Sequence, residues 1–261
     1  MQISVLGKSP SWADAGGACS GYLVCEAGYT LLLDCGSGAF AKLRAVCDYA
    51  EVDAVLISHM HSDHFVDLVP FANALRFGPR GRAGTAPRPP VTLPPGGAEV
   101  LRAAALTGGF EGLVDDAFEV GEYDPDGELS LGPLTARFCA VPHFIPAYAV
   151  QLSAGDARFT FGADCGPSEA LVRFAADTDL LLIEATMGCA QSAPAADGTA
   201  GGERGHLTAR EAGEHGLAAR ARALVLTHFS DELDAEDVLR DAIAGFGGPV
   251  ALAHEGASYR I

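Results

Sequence analysis

The six residues His59-Met60-His61-Ser62-Asp63-His64 constrain this chain more than any other stretch. Three imidazoles and a carboxylate follow directly on the apolar run Ala54-Val55-Leu56-Ile57. A strand that ends in such a cluster delivers ligands to the mouth of a sheet. His59 and His61 are two apart, so on extended backbone they point to one side. Asp63 and His64 are adjacent and reach toward a second point nearby. The spacing suits two metal ions side by side.

The same pattern recurs downstream. His143 follows Phe138–Pro142, His228 follows Ala223–Thr227, and Asp164 follows Phe159–Ala163, each an apolar strand-like run. Strand ends are where α/β enzymes place functional groups, on loops held by a rigid sheet. A lone histidine there is most simply a hydrogen-bonded structural residue. Five histidines and two aspartates are another matter, because clustering them without a metal leaves buried polar groups unpaired. His215 falls inside a helical stretch and reads as a surface residue. His254 ends the last apolar run, but no motif surrounds it.

Periodicity places strands at Ile3–Leu6, Gly21–Glu26, Thr30–Asp34, Val52–Ile57, Val91–Leu93, 117–120, 129–131, 134–141, Tyr148–Ser153, Ala157–Gly162, Leu180–Glu184, Ala223–Thr227 and Val250–Ala253. It places helices at Phe40–Tyr49, Phe65–Arg76, Glu99–Leu106, Ser168–Ala176 (with Ser168 as N-cap), Thr208–Gly216 and Ala235–Ala244. Residues 78–97, rich in Pro, Gly and Arg, predict an exposed loop or arm around the short strand at Val91, and 187–205 a flexible loop. Strands come in runs in each half with helices between them, which predicts an α/β fold of two packed sheets with helices outside.

With 261 residues, 49% of them hydrophobic, residues 1–261 are expected to form one domain around a sizeable core. Lys+Arg number 17 against 34 Asp+Glu, a formal net charge of −17. Such a surface repels polyanions, which weighs against a broad nucleic-acid footprint, though metals can still hold a small anion. The seven cysteines are odd in number and contain no CxxC pair, so neither a disulfide framework nor a thiolate zinc site is expected, and most should be small buried hydrophobes. The start, MQISVLGKSP, does not read as a signal peptide, and no apolar run approaches the ~20 residues that span a bilayer. A soluble cytoplasmic protein is the expectation.

HxHxDH after a strand, followed in order by His143, Asp164 and His228, resembles the metallo-β-lactamase superfamily. The resemblance covers nearly the whole chain and implies a four-layer αβ/βα sandwich, two mixed sheets flanked by helices. It implies that His59, His61 and His143 hold one divalent ion, that Asp63, His64 and His228 hold a second, and that Asp164 bridges them. Imidazole and carboxylate suit Zn²⁺ and are compatible with Mn²⁺ or Fe. Two such ions about 3.5–4 Å apart can share a hydroxide and clamp attacking and leaving oxygens. Asp34, in Asp34-Cys35-Gly36, matches the family position whose carboxylate supports the metal histidines. A turn-forming Asp before Gly explains it nearly as well.

The stretch Gly205-His206-Leu207-Thr208-Ala209-Arg210-Glu211-Ala212 is similar to the GH-[LMS]-T-A-x-E-A run of the ribonuclease Z-like phosphodiesterases. His143-Phe144-Ile145-Pro146-Ala147-Tyr148 and Leu182-Ile183-Glu184-Ala185-Thr186 match two further runs of that branch. The resemblance implies that Glu184 orients and charges His206, and that His206 stabilises phosphate or protonates the leaving alkoxide. Asp63, Glu184 and His206 are thus the catalytic candidates, Asp63 doubling as a metal ligand. A plain helix-terminal role for His206 is the competing reading.

The branch contains transfer-RNA 3′-end nucleases and small-molecule phosphodiesterases. The nucleases carry a long basic arm, whereas 78–97 is short for one, despite Arg80, Arg82 and Arg88. The negative charge also disfavours large RNA, whose binding rests on phosphate neutralisation. The expected activity is hydrolysis of small phosphodiesters such as cyclic nucleotides. A transfer-RNA 3′-processing endonuclease, an acyl hydrolase of lactones or thioesters on the same metals, and a non-catalytic metal scaffold are the alternatives. By resemblance the protein is expected to be a homo-oligomer.

Overall fold

The computed structural model describes residues 1–188 and 204–261. Sheet one is built from β1 (Gln2–Gly7), β2 (Gly21–Glu26), β3 (Tyr29–Cys35), β4 (Ala54–Leu56), β5 (Pro90–Leu93) and β6 (Glu119–Glu122). Sheet two is built from β7 (Glu128–Leu131), β8 (Leu134–Val141), β9 (Ala147–Ala154), β10 (Ala157–Phe161), β11 (Leu180–Glu184), β12 (Leu224–Thr227) and β13 (Val250–Leu252). The chain ends in β14 (Ser258–Arg260), which returns to sheet one. The orders are β14-β1-β2-β3-β4-β5-β6 and β13-β12-β11-β10-β9-β8-β7. Both sheets are mixed: β3 to β6 pair in parallel, as do β10 to β13, and the remaining pairings are antiparallel.

Side-chain alternation explains the layering. On β3, Leu31 and Leu33 face the second sheet while Leu32 faces helices; on β11, Leu180 and Leu182 face inward while Leu181 and Ile183 face helices. The inner core joins Val5, Tyr22 and Leu56 of sheet one to Phe138, Leu152, Phe159 and Phe161 of sheet two. Sheet one is covered by α1 (Ala39–Val46), α3 (Leu68–Phe77), α5 (Gly97–Thr107) and α6 (Leu113–Ala117), with one-turn helices α2 (Ser62–Phe65) and α4 (Pro79–Arg82) between them. Sheet two is covered by α7 (Glu169–Phe174), α8 (Ala209–Ala218) and α9 (Ala235–Phe246). The result is the expected four-layer αβ/βα sandwich.

Several boundaries differ from the sequence expectation. The helix expected over Phe40–Tyr49 stops at Val46, and Tyr49–Glu51 forms a separate 3₁₀ turn capped by Asp48. The helix expected from Phe65 is split, since α2 already begins at Ser62 within the histidine cluster. Neither α6 nor β14 is anticipated, being only 5 and 3 residues long. The arm 78–97 opens with α4 rather than with loop. Two of its arginines are tied down locally: Arg80 pairs with Asp48 at 2.5 Å, and Arg88 donates to the Asp115 and Phe118 carbonyls. Of the cysteines, Cys19, Cys35 and Cys165 are buried, but Cys25, Cys47 and Cys139 are half-buried, and Cys189 lies outside the described residues. Most of the loop expected at 187–205 likewise lies outside them. No helix among the described residues is long and apolar enough to cross a membrane.

Candidate metal centre

The topology delivers the candidate residues to one rim. Strands β10, β11 and β12 run parallel, so the positions just after or at their ends, Asp164, Glu184 and His228, share an edge. Two antiparallel pairings separate β8 from β10, so β8 shares that direction and brings His143 there too. In sheet one the parallel pair β3–β4 carries Asp34 and the histidine cluster. A bridge between His59 and Ala147 joins the two rims, and the Tyr22 and Thr227 hydroxyls meet at 2.6 Å across the sheets. Gly36 permits the approach of β3 to α2, because a Cβ there would overlap the Asp63 carbonyl.

Three non-glycine residues at this rim are left-handed: Asp34 (φ 57°), Ala163 (φ 53°) and His228 (φ 53°). Such conformations are unfavourable for residues with a Cβ and tend to gather at functional sites. Asp34 sits at a register shift between β2 and β3 just before β3 ends, while Ala163 and His228 follow the ends of β10 and β12; each aims a ligand candidate or its support into the rim.

All seven predicted metal-ligating residues come together. His59, His61, His143 and Asp164 form one group, and Asp63, His64, Asp164 and His228 form another, with Asp164 in both. In the second group His228 Nε2 lies 3.2 Å from Asp63 Oδ2 and from Asp164 Oδ2, and His64 Nε2 lies 3.3 Å from Asp164 Oδ1. In the first, His59 Nε2 and His143 Nε2 each lie 3.8 Å from Asp164 Oδ2, and His143 Nε2 is 2.9 Å from His61 Nδ1. Ligands at about 2.0–2.2 Å from a tetrahedral ion are about 3.3–3.6 Å apart, so these spacings bracket a coordination shell. His59 Nε2 and Asp164 Oδ1, both buried, have no hydrogen-bond partner among the described residues. Orphaned atoms of this kind are costly unless something else binds them. The donor set therefore fits divalent metal.

Hydrogen bonds on the far side of each ring set its tautomer. His143 Nδ1 donates to the Gly205 carbonyl at 2.9 Å, and His64 Nδ1 donates to Asp34 Oδ2 at 2.7 Å. Ser58 donates its hydroxyl to Asp34 Oδ2 and accepts from His59 Nδ1 at 3.1 Å. Thr186 donates to the His228 carbonyl, so its oxygen accepts from His228 Nδ1 at 2.8 Å. In all four, Nε2 is the nitrogen turned toward the groups above. Asp34 is thus a supporting carboxylate and not merely a turn residue; fully buried, it also accepts from the Ser58 amide at 2.8 Å. Ser58, Thr186 and the Gly205 carbonyl carry no metal-ligand chemistry of their own, so sequence reasoning missed them.

Electrostatics follow from burial and crowding. Burial, then the neighbouring His64 charge, pushes His59 well below the ordinary imidazole range; burial likewise lowers His61 and His143. Burial opposes charge on Asp63 and Asp164, yet His228 and His64 beside them win and hold both carboxyls below the usual range. Burial also opposes charge on His64, but Asp164 and Asp34 outweigh it and raise His64 well above the ordinary value. An arriving cation must displace that extra proton. Asp34→Asn keeps the size and tolerates the left-handed backbone while removing the charge. It is expected to weaken metal binding about 10–100-fold, read by competition with a chelating dye; unchanged affinity would remove Asp34 from the centre.

Beside this rim Glu184, fully buried, accepts from His206 Nδ1 at 2.8 Å, from the Cys165 amide at 2.8 Å and from the Thr186 amide at 3.2 Å. Glu184, His206 and His228 together form a third His/Glu cluster. His206 lies on the approach to α8, separated by Leu207 from the N-cap Thr208, whose capping box with Glu211 fixes the helix start. A cavity of about 280 Å³ opens here, lined by His61, Asp63, Phe144, Asp164, His206 and His228 among others. None of the arm's arginines lines it. His254 is exposed and away from the cavity. His215, expected at the surface, is half-buried: its Nε2 accepts from the Ser168 amide at 2.9 Å, pinning α7 to α8.

A family model described as the beta-lactamase superfamily domain matches residues 29–229, a span that starts with β3 and ends just after His228. The chain is 31% identical to the probable metallo-hydrolase YhfI of Bacillus subtilis, over 98% of each chain. The crystal structure of YhfI superposes with a TM-score of 0.85 at 27% identity, covering 99% of this chain and 98% of that one. A ribonuclease Z from Myxococcus xanthus is 27% identical over 98% of this chain and 96% of its own. The short form of human tRNase Z shares the fold at a TM-score of 0.77 and 20% identity, covering 100% and 99% of the two chains. With this fold, this donor set and these relatives, the chain belongs to the metallo-β-lactamase superfamily, in its ribonuclease Z-like branch.

Proposed function

We propose that the protein is a dinuclear-metal phosphodiesterase acting on small phosphodiesters, cyclic nucleotides foremost. The observation that carries this reading is the Glu184–His206 pair, joined at 2.8 Å, with Glu184 buried behind His206 and His206 on the wall of a cavity that members of both metal-ligand groups also line. His59, His61, His143 and Asp164 would hold one ion, and Asp63, His64, His228 and Asp164 the other; zinc suits this imidazole–carboxylate set. Bound there, divalent cations supply Lewis acidity, acidifying water and neutralising phosphoryl charge.

The chain's own groups supply the rest. Glu184 is held by two backbone amides, so it is fixed as a hydrogen-bond acceptor for His206 Nδ1. That bond orients the imidazole and leaves Nε2 as the nitrogen that exchanges a proton with the leaving oxygen. A phosphodiester has such a leaving alkoxide and a charged phosphoryl group beside it, matching both halves of the site. The cavity's 280 Å³ lies at the small end of ligand pockets, which supports a small substrate. The −17 charge, and arginines of the arm engaged with Asp48, Asp115 and Phe118, weigh against large RNA.

The metal-loaded protein is expected to hydrolyse bis-p-nitrophenyl phosphate and 2′,3′- or 3′,5′-cyclic nucleotides in a spectrophotometric or chromatographic assay. Turnover of a lactone or thioester with none of these phosphodiesters would assign the site to acyl chemistry instead. Cleavage confined to a transfer-RNA precursor would make it a nuclease.

A further inference from the structure

Ser11, Ser62 and Phe144 line the cavity without a part in the proposed phosphodiester chemistry. Among the described residues, Phe144 is the apolar side chain on a wall otherwise made of polar and charged groups such as His61, Asp63, Asp164, His206 and His228. It is 38% exposed. Single exposed aromatics are ordinary on a protein surface. This one is different in place: it stands inside a polar cavity, directly after the metal-ligand candidate His143.

Its surroundings hold the ring in position. Its centroid lies 4.9 Å from that of His143, 5.5 Å from His206 and 6.4 Å from His61, at interplanar angles of 57°, 62° and 45°. None of these is a parallel stack. Its edge rests on Gly205, where an added Cβ would come within 3.0 Å of the ring. The ring is therefore braced between the metal-side histidines and His206, with part of its surface open to the cavity. His206 is the group assigned to the leaving oxygen, and Phe144 is the aromatic ring beside it that opens onto the cavity.

We infer that Phe144 is a stacking platform for a planar group on the leaving side of the substrate, and that the substrate class is nucleoside phosphodiesters rather than alkyl ones. The inference rests on the phosphodiesterase reading for the direction of the leaving group. Aromatic faces bind bases of any sequence because every base presents a π-face. Phe144 has no polar atom to discriminate between bases, so the preference is for a base over none.

Titration calorimetry on the metal-loaded protein tests this with adenosine 5′-monophosphate against ribose 5-phosphate. The base-bearing ligand is expected to bind about 5- to 150-fold tighter, the range that stacking of one base supplies. Phe144→Leu, which keeps an apolar side chain but removes the ring, is expected to shrink that ratio toward one and to raise KM for 2′,3′-cyclic AMP by a similar factor. Phe144→Trp is expected to restore both. Equal binding of the two ligands by the wild-type protein, or binding of neither, overturns the inference. So does a Phe144→Leu protein in which both ligands weaken alike, since that is what loss of support to His143 and His206 would produce. Base-selective binding without hydrolysis of any phosphodiester upholds the platform and removes the phosphodiesterase reading separately.

Discussion

Asp164→Asn is expected to empty both halves of the metal centre and to lower phosphodiester turnover by more than about 100-fold. Among the described residues Asp164 alone belongs to both donor groups built on the HxHxDH run. Its Oδ2 faces His59, His143 and His228, and its Oδ1 faces His64 at 3.3 Å. Asparagine preserves the volume but replaces one oxygen by an NH₂ that cannot ligate, and it removes the charge that offsets two cations. A residue that merely supports a ligand changes metal affinity by about 10–100-fold, so a shared ligand should exceed that. Elemental analysis of metal per chain and a parallel rate measurement decide the matter. Full metal content with a near-native rate would exclude Asp164 from the centre.

His206→Ala is expected to lower kcat on a cyclic nucleotide by about 10²–10⁴-fold, the range typical of a positioned general acid. The loss on bis-p-nitrophenyl phosphate should be much smaller, because p-nitrophenolate departs without being protonated. Metal content should be retained, since His206 belongs to neither group that shares Asp164. Glu184→Gln should reproduce the same substrate dependence more weakly, as it leaves the imidazole in place but loses the charge that faces Nδ1–H. Equal losses on both substrates would mean that His206 shapes the cavity rather than moving a proton. A rate that barely changes on either would favour the acyl-hydrolase reading, which has no need of the pair.

The parts of this molecule legible in the sequence were those with strong local or chemical signatures. Leu180–Glu184 is read to the residue because it is a continuous apolar run with a carboxylate at its end. Ser168 and Thr208 mark helix starts because their hydroxyls cap backbone amides within three residues. The short elements α2, α6 and β14 escaped because a turn or three residues of periodicity cannot be distinguished from loop. Residues such as Ser58 and Thr186 escaped for another reason. A hydroxyl acquires its meaning from the ring nitrogen it meets, and those rings come from elsewhere in the tertiary structure.

His215 and Asp34 show the same division. An imidazole inside a helix looks like a surface residue until α7 is seen docked against it, and an Asp before a Gly looks like a turn until His64 is found at 2.7 Å. The sequence by itself determined the donor inventory, the strand ends that carry it and the two-sheet architecture, because periodicity and ligand chemistry are local properties. That Asp164 belongs to both groups and that Glu184 orients His206 came from the family resemblance, and the tertiary structure brings those side chains together; that Phe144 opens onto the cavity was decided by the tertiary structure alone. The contacts of Asp164 with His59 and His64 depend on two sheets meeting rim to rim, and those of His206 with Glu184 and Phe144 on loops of one half converging, across separations in the chain that no local pattern records.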